Sequence, residues 1–179
     1  EGLRELWGTS VFQCPYCHGW EVRDRRFGYL ASGLEACEFA LLLRGWTSDV
    51  VLFTDGRFAL PADTAARLAA GGVGVEERRI RRLAGSGGRL ASVELADGAP
   101  VPCDALFMHP PQRQVGLVLS LGLNLDAQGL IVVDETHMQS STAGIYAAGD
   151  IITRSQSALL AAASGMRAAA ALNHELTAE

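Results

Sequence analysis

Residues 26–54 read RFGYLASGLEACEFALLLRGWTSDVVLFT, and the order of their apolar runs decides the fold. A short apolar run at 27–31 meets a turn at Ser32-Gly33. Apolar positions then recur at helical spacing (Phe39, Leu42, Leu43, Trp46), and a second apolar run fills 49–54. Little polarity shows in either run, as expected of strands covered on both faces of a parallel sheet. Strand, helix and strand within about 30 residues fit a dinucleotide-type βαβ unit.

Working outward, a helix is expected at 63–70, capped by Asp63 or Thr64 and stopped by Gly71-Gly72, with a short strand at 73–76. Runs at 90–95 and 99–101 flank the turn Ala96-Asp97-Gly98 and read as a hairpin, giving a sheet of mixed type. The apolar run 105–108 stops at His109-Pro110-Pro111, where two prolines end strand pairing and mark a domain crossing near 109–116. Beyond it, strands are expected at 130–134 and 144–148 and an alanine-rich helix at 157–176. The fold class is α/β: a Rossmann-like three-layer domain over 1–108, then residues 109–179 as a second segment.

The chain has 179 residues, 49% hydrophobic and 20% charged, enough for one or two compact domains with a real core. A net charge of −5 without long runs of like charge favours neither nucleic acid nor an anionic membrane. All 15 basic residues are arginine, which removes mechanisms needing a phosphate-binding or Schiff-base lysine. No apolar stretch approaches the roughly 20 residues of a membrane span, and residues 1–10 lack a signal layout, so a cytoplasmic location is expected. The start at Glu1 instead of methionine suggests a piece of a longer protein.

Of four cysteines (14, 17, 37, 103), only Cys14 and Cys17 are close, in Cys14-Pro15-Tyr16-Cys17. Two thiols one helical turn apart can close a reducible disulfide, and His18 beside them can carry protons near neutral pH. Structural zinc lacks a second ligand pair at suitable spacing, so no metal site is expected. Covalent haem through Cys14, Cys17 and His18 would require export and an apolar pocket, and inert thiols are the remaining alternative. Cys37 and Cys103 read as small buried residues.

The stretch Ala31-Ser32-Gly33-Leu34-Glu35-Ala36 occupies the place of a Gly-x-Gly-x-x-Gly/Ala phosphate loop, with Ala31 for the first glycine. Binding and purely structural roles both remain open for it. Asp55 would bond a ribose hydroxyl and repel a 2′-phosphate, favouring NADH over NADPH if a nucleotide binds. The run Thr142-Ala143-Gly144-Ile145-Tyr146-Ala147-Ala148-Gly149-Asp150 suits a flavin, and equally an ordinary strand-turn-helix junction.

In this order the segments resemble the bacterial-type thioredoxin reductase family of flavin-dependent pyridine nucleotide-disulfide oxidoreductases. Residues 8–21 (GTSVFQCPYCHGWE) resemble its redox segment, 31–40 its dinucleotide loop and 142–150 its second flavin motif. The resemblance implies FAD in the complete protein, with Gly149, Asp150, Gln156, Ser157 and Ala158 beside it and 109–179 as the C-terminal part of an incomplete FAD-binding domain. The family's first flavin motif is absent from the sequence, so this segment alone is not expected to hold FAD or to be active. It also implies Cys14 as the outer and Cys17 as the inner cysteine, two domains that rotate, a thiol or disulfide substrate (small molecule or thioredoxin-like protein), and a homodimer.

Two departures stand out. His18 replaces the family's usual aspartate, as in the gliotoxin-oxidase-like relatives that oxidise dithiols. Asp55-Gly56 replaces the arginine pair that holds a 2′-phosphate, leaving only Arg57 nearby, so neither NADPH nor NADH is a firm expectation. The alternatives are a dithiol oxidase using another acceptor such as oxygen, and a non-catalytic nucleotide-sensing module. A glutaredoxin-like transferase shares the tetrapeptide, but Gly19 and the charges at 22–26 are expected to break the helix it would need.

Overall fold

The computed structural model describes residues 1–178. In chain order its elements are α1 (Leu3–Leu6), β1 (Val11–Phe12), α2 (Pro15–Val22), β2 (Phe27–Leu30), α3 (Phe39–Leu43), β3 (Val50–Phe53), α4 (Ala62–Ala70) and β4 (Val73–Glu76). There follow β5 (Ile80–Ser86), β6 (Arg89–Leu95), β7 (Val101–Pro102), β8 (Ala105–Met108), α5 (Gly116–Ser120) and α6 (Ala158–Ala178).

Five strands form one parallel sheet in the order β1-β8-β2-β3-β4, with Phe27 level with both Val50 and Ala105. Successive side chains leave opposite faces of a strand, so each strand feeds two cores. Phe12, Phe27, Leu52, Ala105 and Phe107 pack with Val22, Cys37, Ala40, Leu43 and Leu68 on the helical side. Val11, Phe53, Leu106 and Met108 pack on the other side with Leu83, Leu90, Val93 and Leu95 of the antiparallel sheet β5-β6-β7. The result is three layers: helices, parallel sheet, antiparallel sheet. Phe107, fully buried between Phe12 and Phe27 (centroids 5.7 and 5.0 Å), ties β8 to its neighbours, and its truncation to alanine would cost about 3–5 kcal/mol.

The expected βαβ unit is present, but its helix is shorter than the sequence suggests: a 3-10 turn at Leu34–Ala36 precedes the five-residue α3. α4 starts after Pro61 with no side-chain cap from Asp63 or Thr64. The strand types segregate into two sheets, where a mixed one was expected. β5 was not anticipated, because Arg81, Arg82 and the glycines at 85, 87 and 88 obscure its apolar positions.

The chain divides into two compact units, Glu1–Pro110 and Pro111–Glu179. In the second, the expected strands at 130–134 and 144–148 are only isolated bridges, Leu125 with Ile131, Val133 with Ser140 and Gln139 with Tyr146. They surround a small core of Leu123, Ile131 and Ala147. Tyr146 donates to the Glu175 carboxylate on α6, and the Gln139 amide reaches the same oxygen at 3.1 Å. No helix among the described residues is long and apolar enough to cross a membrane.

Candidate active site

β1 delivers the chain to Cys14, the N-cap of α2 in extended conformation, and Pro15 occupies the first helical position, where its missing N–H costs nothing. Cys14 accepts from the N–H groups of Cys17 and His18, both at 3.3 Å, which closes the first turn. The turn brings the sulfurs together: the Cys17 thiol donates to Cys14 Sγ at 2.7 Å, and both residues are free thiols. Closing that pair to a disulfide of about 2.05 Å needs only a small rotation. The hydrogen bond to Cys14, with smaller contributions from burial and the Cys14 charge, pushes the Cys17 thiol up to about 11. In this contact Cys17 is the donating thiol and Cys14 presents the accepting sulfur.

α2 continues through Gly19 to Val22, so the glycine does not break it as expected. A Cβ at Gly19 would stand 2.8 Å from the Trp46 indole, and the absence of one lets that ring lie against the helix. His18 stacks on Phe12, with centroids 4.7 Å apart and planes 23° apart, and no hydrogen bond joins its ring to either sulfur. Three aromatic neighbours escaped the sequence reading: Tyr16, edge-on to Trp46 at 5.3 Å, and Trp20, whose ring lies under the Arg23 guanidinium at 3.9 Å. The i, i+4 spacing of Tyr16 and Trp20 was the signal that could have found two of them.

The loop 31–33 lies at the C-terminal end of β2, beside the end of β8, where the strand order reverses and α/β sheets open a ligand crevice. Ala31 is buried, its N–H bonded to Phe53 O at 3.0 Å. Ser32 is exposed, and the place of a Cβ on Gly33 lies 2.7 and 2.8 Å from the Glu35 carboxylate oxygens. The carboxylate is the end of an exposed, flexible side chain, so its place over the glycine is one that a rotation of Glu35 vacates. Asp55 is also committed, accepting from Ile80 N–H at 2.7 Å and from Arg57 Nε at 3.0 Å. In this arrangement the Glu35 carboxylate lies against Gly33 and Asp55 is engaged by Ile80 and Arg57, so a nicotinamide dinucleotide would have to displace Glu35 to reach the loop.

Residues 149–158 are arranged differently. Gly149 (φ 78°) opens a 3-10 turn and its N–H donates to Ser164 Oγ at 2.9 Å, leaving the Asp150 carboxylate exposed. Ser157 Oγ accepts from Leu160 N–H at 3.2 Å, and Gln156 exchanges side-chain bonds with Gln112 at 2.7 and 3.2 Å before Ala158 starts α6. An open carboxylate for sugar hydroxyls and a helix start nearby fit the donor set that a flavin nucleotide uses. Cys37 is buried with its thiol on Gly33 O at 3.6 Å, and burial pushes Cys103 up to about 12. No grouping of three or more metal-binding side chains occurs among the described residues.

Two neighbouring thiols at a helix start, carried on a Rossmann-type parallel sheet, define the class as that of nucleotide-fold α/β proteins with an adjacent cysteine pair. The chain belongs to the pyridine nucleotide-disulphide oxidoreductase family, whose model matches residues 6–165. Members of this thioredoxin reductase-like family are FAD-dependent flavoproteins with NAD(P)H as electron donor. Thioredoxin reductase tcpT of Claviceps purpurea is 31% identical over 83% of this chain and 49% of that protein. A thioredoxin reductase of Listeria innocua is 30% identical over 86% and 50%, respectively. The crystal structure of an oxidoreductase from Agrobacterium tumefaciens matches with a TM-score of 0.86 and 39% identity, over 99% of this chain and 60% of that one. The chain thus spans about half the length of the curated relatives it matches.

Proposed function

We propose that this chain supplies the dithiol-bearing part of a thioredoxin reductase-like, FAD-dependent disulfide oxidoreductase. The observation that carries this is the Cys17–Cys14 contact of 2.7 Å at the start of α2, in which the Cys17 thiol donates to Cys14 Sγ. Residues 1–108 act as the nucleotide-type domain carrying the pair, and 109–179 as the C-terminal segment of the FAD-binding domain. Gly149, Asp150, Gln156, Ser157 and Ala158 would hold the flavin, which supplies a two-electron store when bound. The substrate is the disulfide of a thiol partner, the location cytoplasmic and the assembly a homodimer.

In the reductive direction the Cys14 sulfur, as thiolate, attacks one sulfur of the substrate disulfide. The bond that forms is Cys14–substrate, and the second substrate sulfur leaves as a thiolate and takes up a proton. Cys17 then loses its proton and attacks Cys14. The first substrate sulfur departs, so the substrate gains two electrons and two protons while Cys14 and Cys17 become a disulfide. His18, held flat on Phe12, lies next in sequence to Cys17 and is assigned the proton traffic.

The test is a trapping experiment with glutathione disulfide. A Cys17→Ser chain should accumulate a single glutathione adduct on Cys14, because nothing remains to resolve it. Adducts confined to Cys37 or Cys103, or none at all, would count against the assignment.

A further inference from the structure

We propose that Ser10 is a positioning residue for the Cys14–Cys17 pair, a conclusion that rests on the redox function proposed above. Its buried hydroxyl locks the two-residue strand β1 to the turn between β5 and β6, and so holds the two sulfurs at bonding distance. Ser10 is 5% exposed, and only Thr47 and Thr54 join it as buried polar side chains among the described residues. The hydroxyl donates to Gly88 O at 2.7 Å and accepts from Leu90 N–H at 3.1 Å. Both of its hydrogen-bonding roles are thus filled by residues 78 and 80 positions along the chain.

β1 needs such an anchor. It is an edge strand of the parallel sheet with β8 as its one neighbour, and its ladder covers only Val11 with Leu106 and Phe12 with Phe107. So short a strand frays unless other bonds tie it down. The main chain of Ser10 ties it to the parallel sheet and to α1, its carbonyl accepting from Leu106 N–H at 2.8 Å and its N–H donating to Leu6 O at 3.0 Å. The hydroxyl adds the tie to the antiparallel sheet.

Two routes carry the position of β1 to the sulfurs. Cys14 follows Phe12 by two residues and is the N-cap of α2, so a slip of the strand displaces its Sγ directly. The Phe12 ring meets Phe107 on β8 at 5.7 Å and stacks on His18 at 4.7 Å, beside Cys17, so the same slip reaches the second thiol through the helix. The two displacements differ, and the Cys17–Cys14 contact of 2.7 Å opens. Thiols that spend less time at this distance have a lower effective concentration, which makes their disulfide easier to reduce.

The experiment equilibrates the 179-residue chain with mixtures of reduced and oxidised glutathione and measures the Cys14–Cys17 disulfide by peptide mapping. The pair gives up two electrons and two protons as its sulfur–sulfur bond forms, and glutathione disulfide is cleaved to two glutathione thiols. Ser10→Ala should lower the equilibrium constant for oxidation by about tenfold, roughly 30 mV for a two-electron couple. Gly88→Ala loosens the anchor from the other side, because its Cβ would meet Thr9 Oγ1 at 3.3 Å at a φ of +75°. It should move the constant in the same direction, even where Ser10→Ala fails to fold. Thr54→Ala removes a fully buried hydroxyl beyond the end of β3; it should lower the thermal midpoint and leave the constant within about twofold. An equal loss in Thr54→Ala would reduce Ser10 to a contributor to stability. An unchanged constant in both Ser10→Ala and Gly88→Ala, or a shift toward the disulfide, would leave it without a positioning role. Each of these results overturns the proposal while the redox function stands. If the unsubstituted chain forms no Cys14–Cys17 disulfide at any glutathione ratio, the redox function falls and the role of Ser10 with it.

Discussion

Replacing Cys14 by alanine should make Cys17 more reactive, although it removes half of the redox pair. The Cys17 thiol is held at about 11, against an ordinary value of 9, chiefly by the hydrogen bond it donates to Cys14. At pH 8 a thiol at 11 is about 0.1% thiolate and one at 9 about 10%, nearly a hundredfold difference. A less basic thiolate is also a weaker nucleophile, with a Brønsted coefficient of about 0.4–0.5, which reduces the gain to roughly tenfold. Because the smaller contribution from burial survives the substitution, a five- to tenfold increase is expected, by the same scaling. The assay is a short pulse of limiting iodoacetamide between pH 6 and 9, with Cys17 quantified by peptide mapping in both chains. The unsubstituted chain should show no inflection for Cys17 in that range. An equal Cys17 rate in the two chains, or an inflection below 9 with Cys14 present, would refute the proton placement.

Gly19→Val should destabilise the first unit by about 2 kcal/mol, because a Cβ meets Trp46 at 2.8 Å and overfilled contacts cost about 1–3 kcal/mol; an unchanged thermal midpoint would contradict this. The loop at 31–33 should bind neither NADH nor NADPH with a dissociation constant below about 0.1 mM, as read by nicotinamide fluorescence. Ala31→Gly combined with Glu35→Gln should then raise affinity, since the pair of substitutions removes the Cβ and the charge; tight binding by the unsubstituted chain would show that Glu35 moves aside.

Much of the first unit was legible in the sequence because its strands are covered on both faces and read as unbroken apolar runs, as in 50–53 and 105–108. α4 was legible through its Gly71-Gly72 stop. The failures have physical causes. Arg81 and Arg82 point β5 outward to Glu94 (Arg82 Nε at 2.7 Å) and hid a strand that is apolar on one face only. Runs such as Ile131-Val132-Val133 looked like strands, but apolar composition cannot reveal whether a pairing partner exists, and only single bridges form. Gly19 was weighed as a helix breaker, whereas tertiary contact with Trp46 decides its place.

For the site, the spacing of Cys14 and Cys17 sufficed to predict their proximity, since a helix turn does the rest. It could not reveal that Cys17 donates to Cys14, nor that His18 lies on Phe12, because both depend on side-chain directions. The nucleotide loop was half legible. Ala31 signalled a departure from the phosphate-binding pattern, but the Glu35 carboxylate over Gly33 and the double engagement of Asp55 appear only in three dimensions.

The central claim is that Cys14 and Cys17 form a reversible redox couple, and the most direct measurement is a redox titration in glutathione buffers followed by intact mass and peptide mapping. The account predicts a loss of two hydrogens confined to Cys14 and Cys17, fully restored by dithiol reductant, with Cys37 and Cys103 unmodified throughout. Thiols that stay free at every ratio of oxidised to reduced glutathione, or oxidation that spreads to Cys37 or Cys103 first, would contradict it.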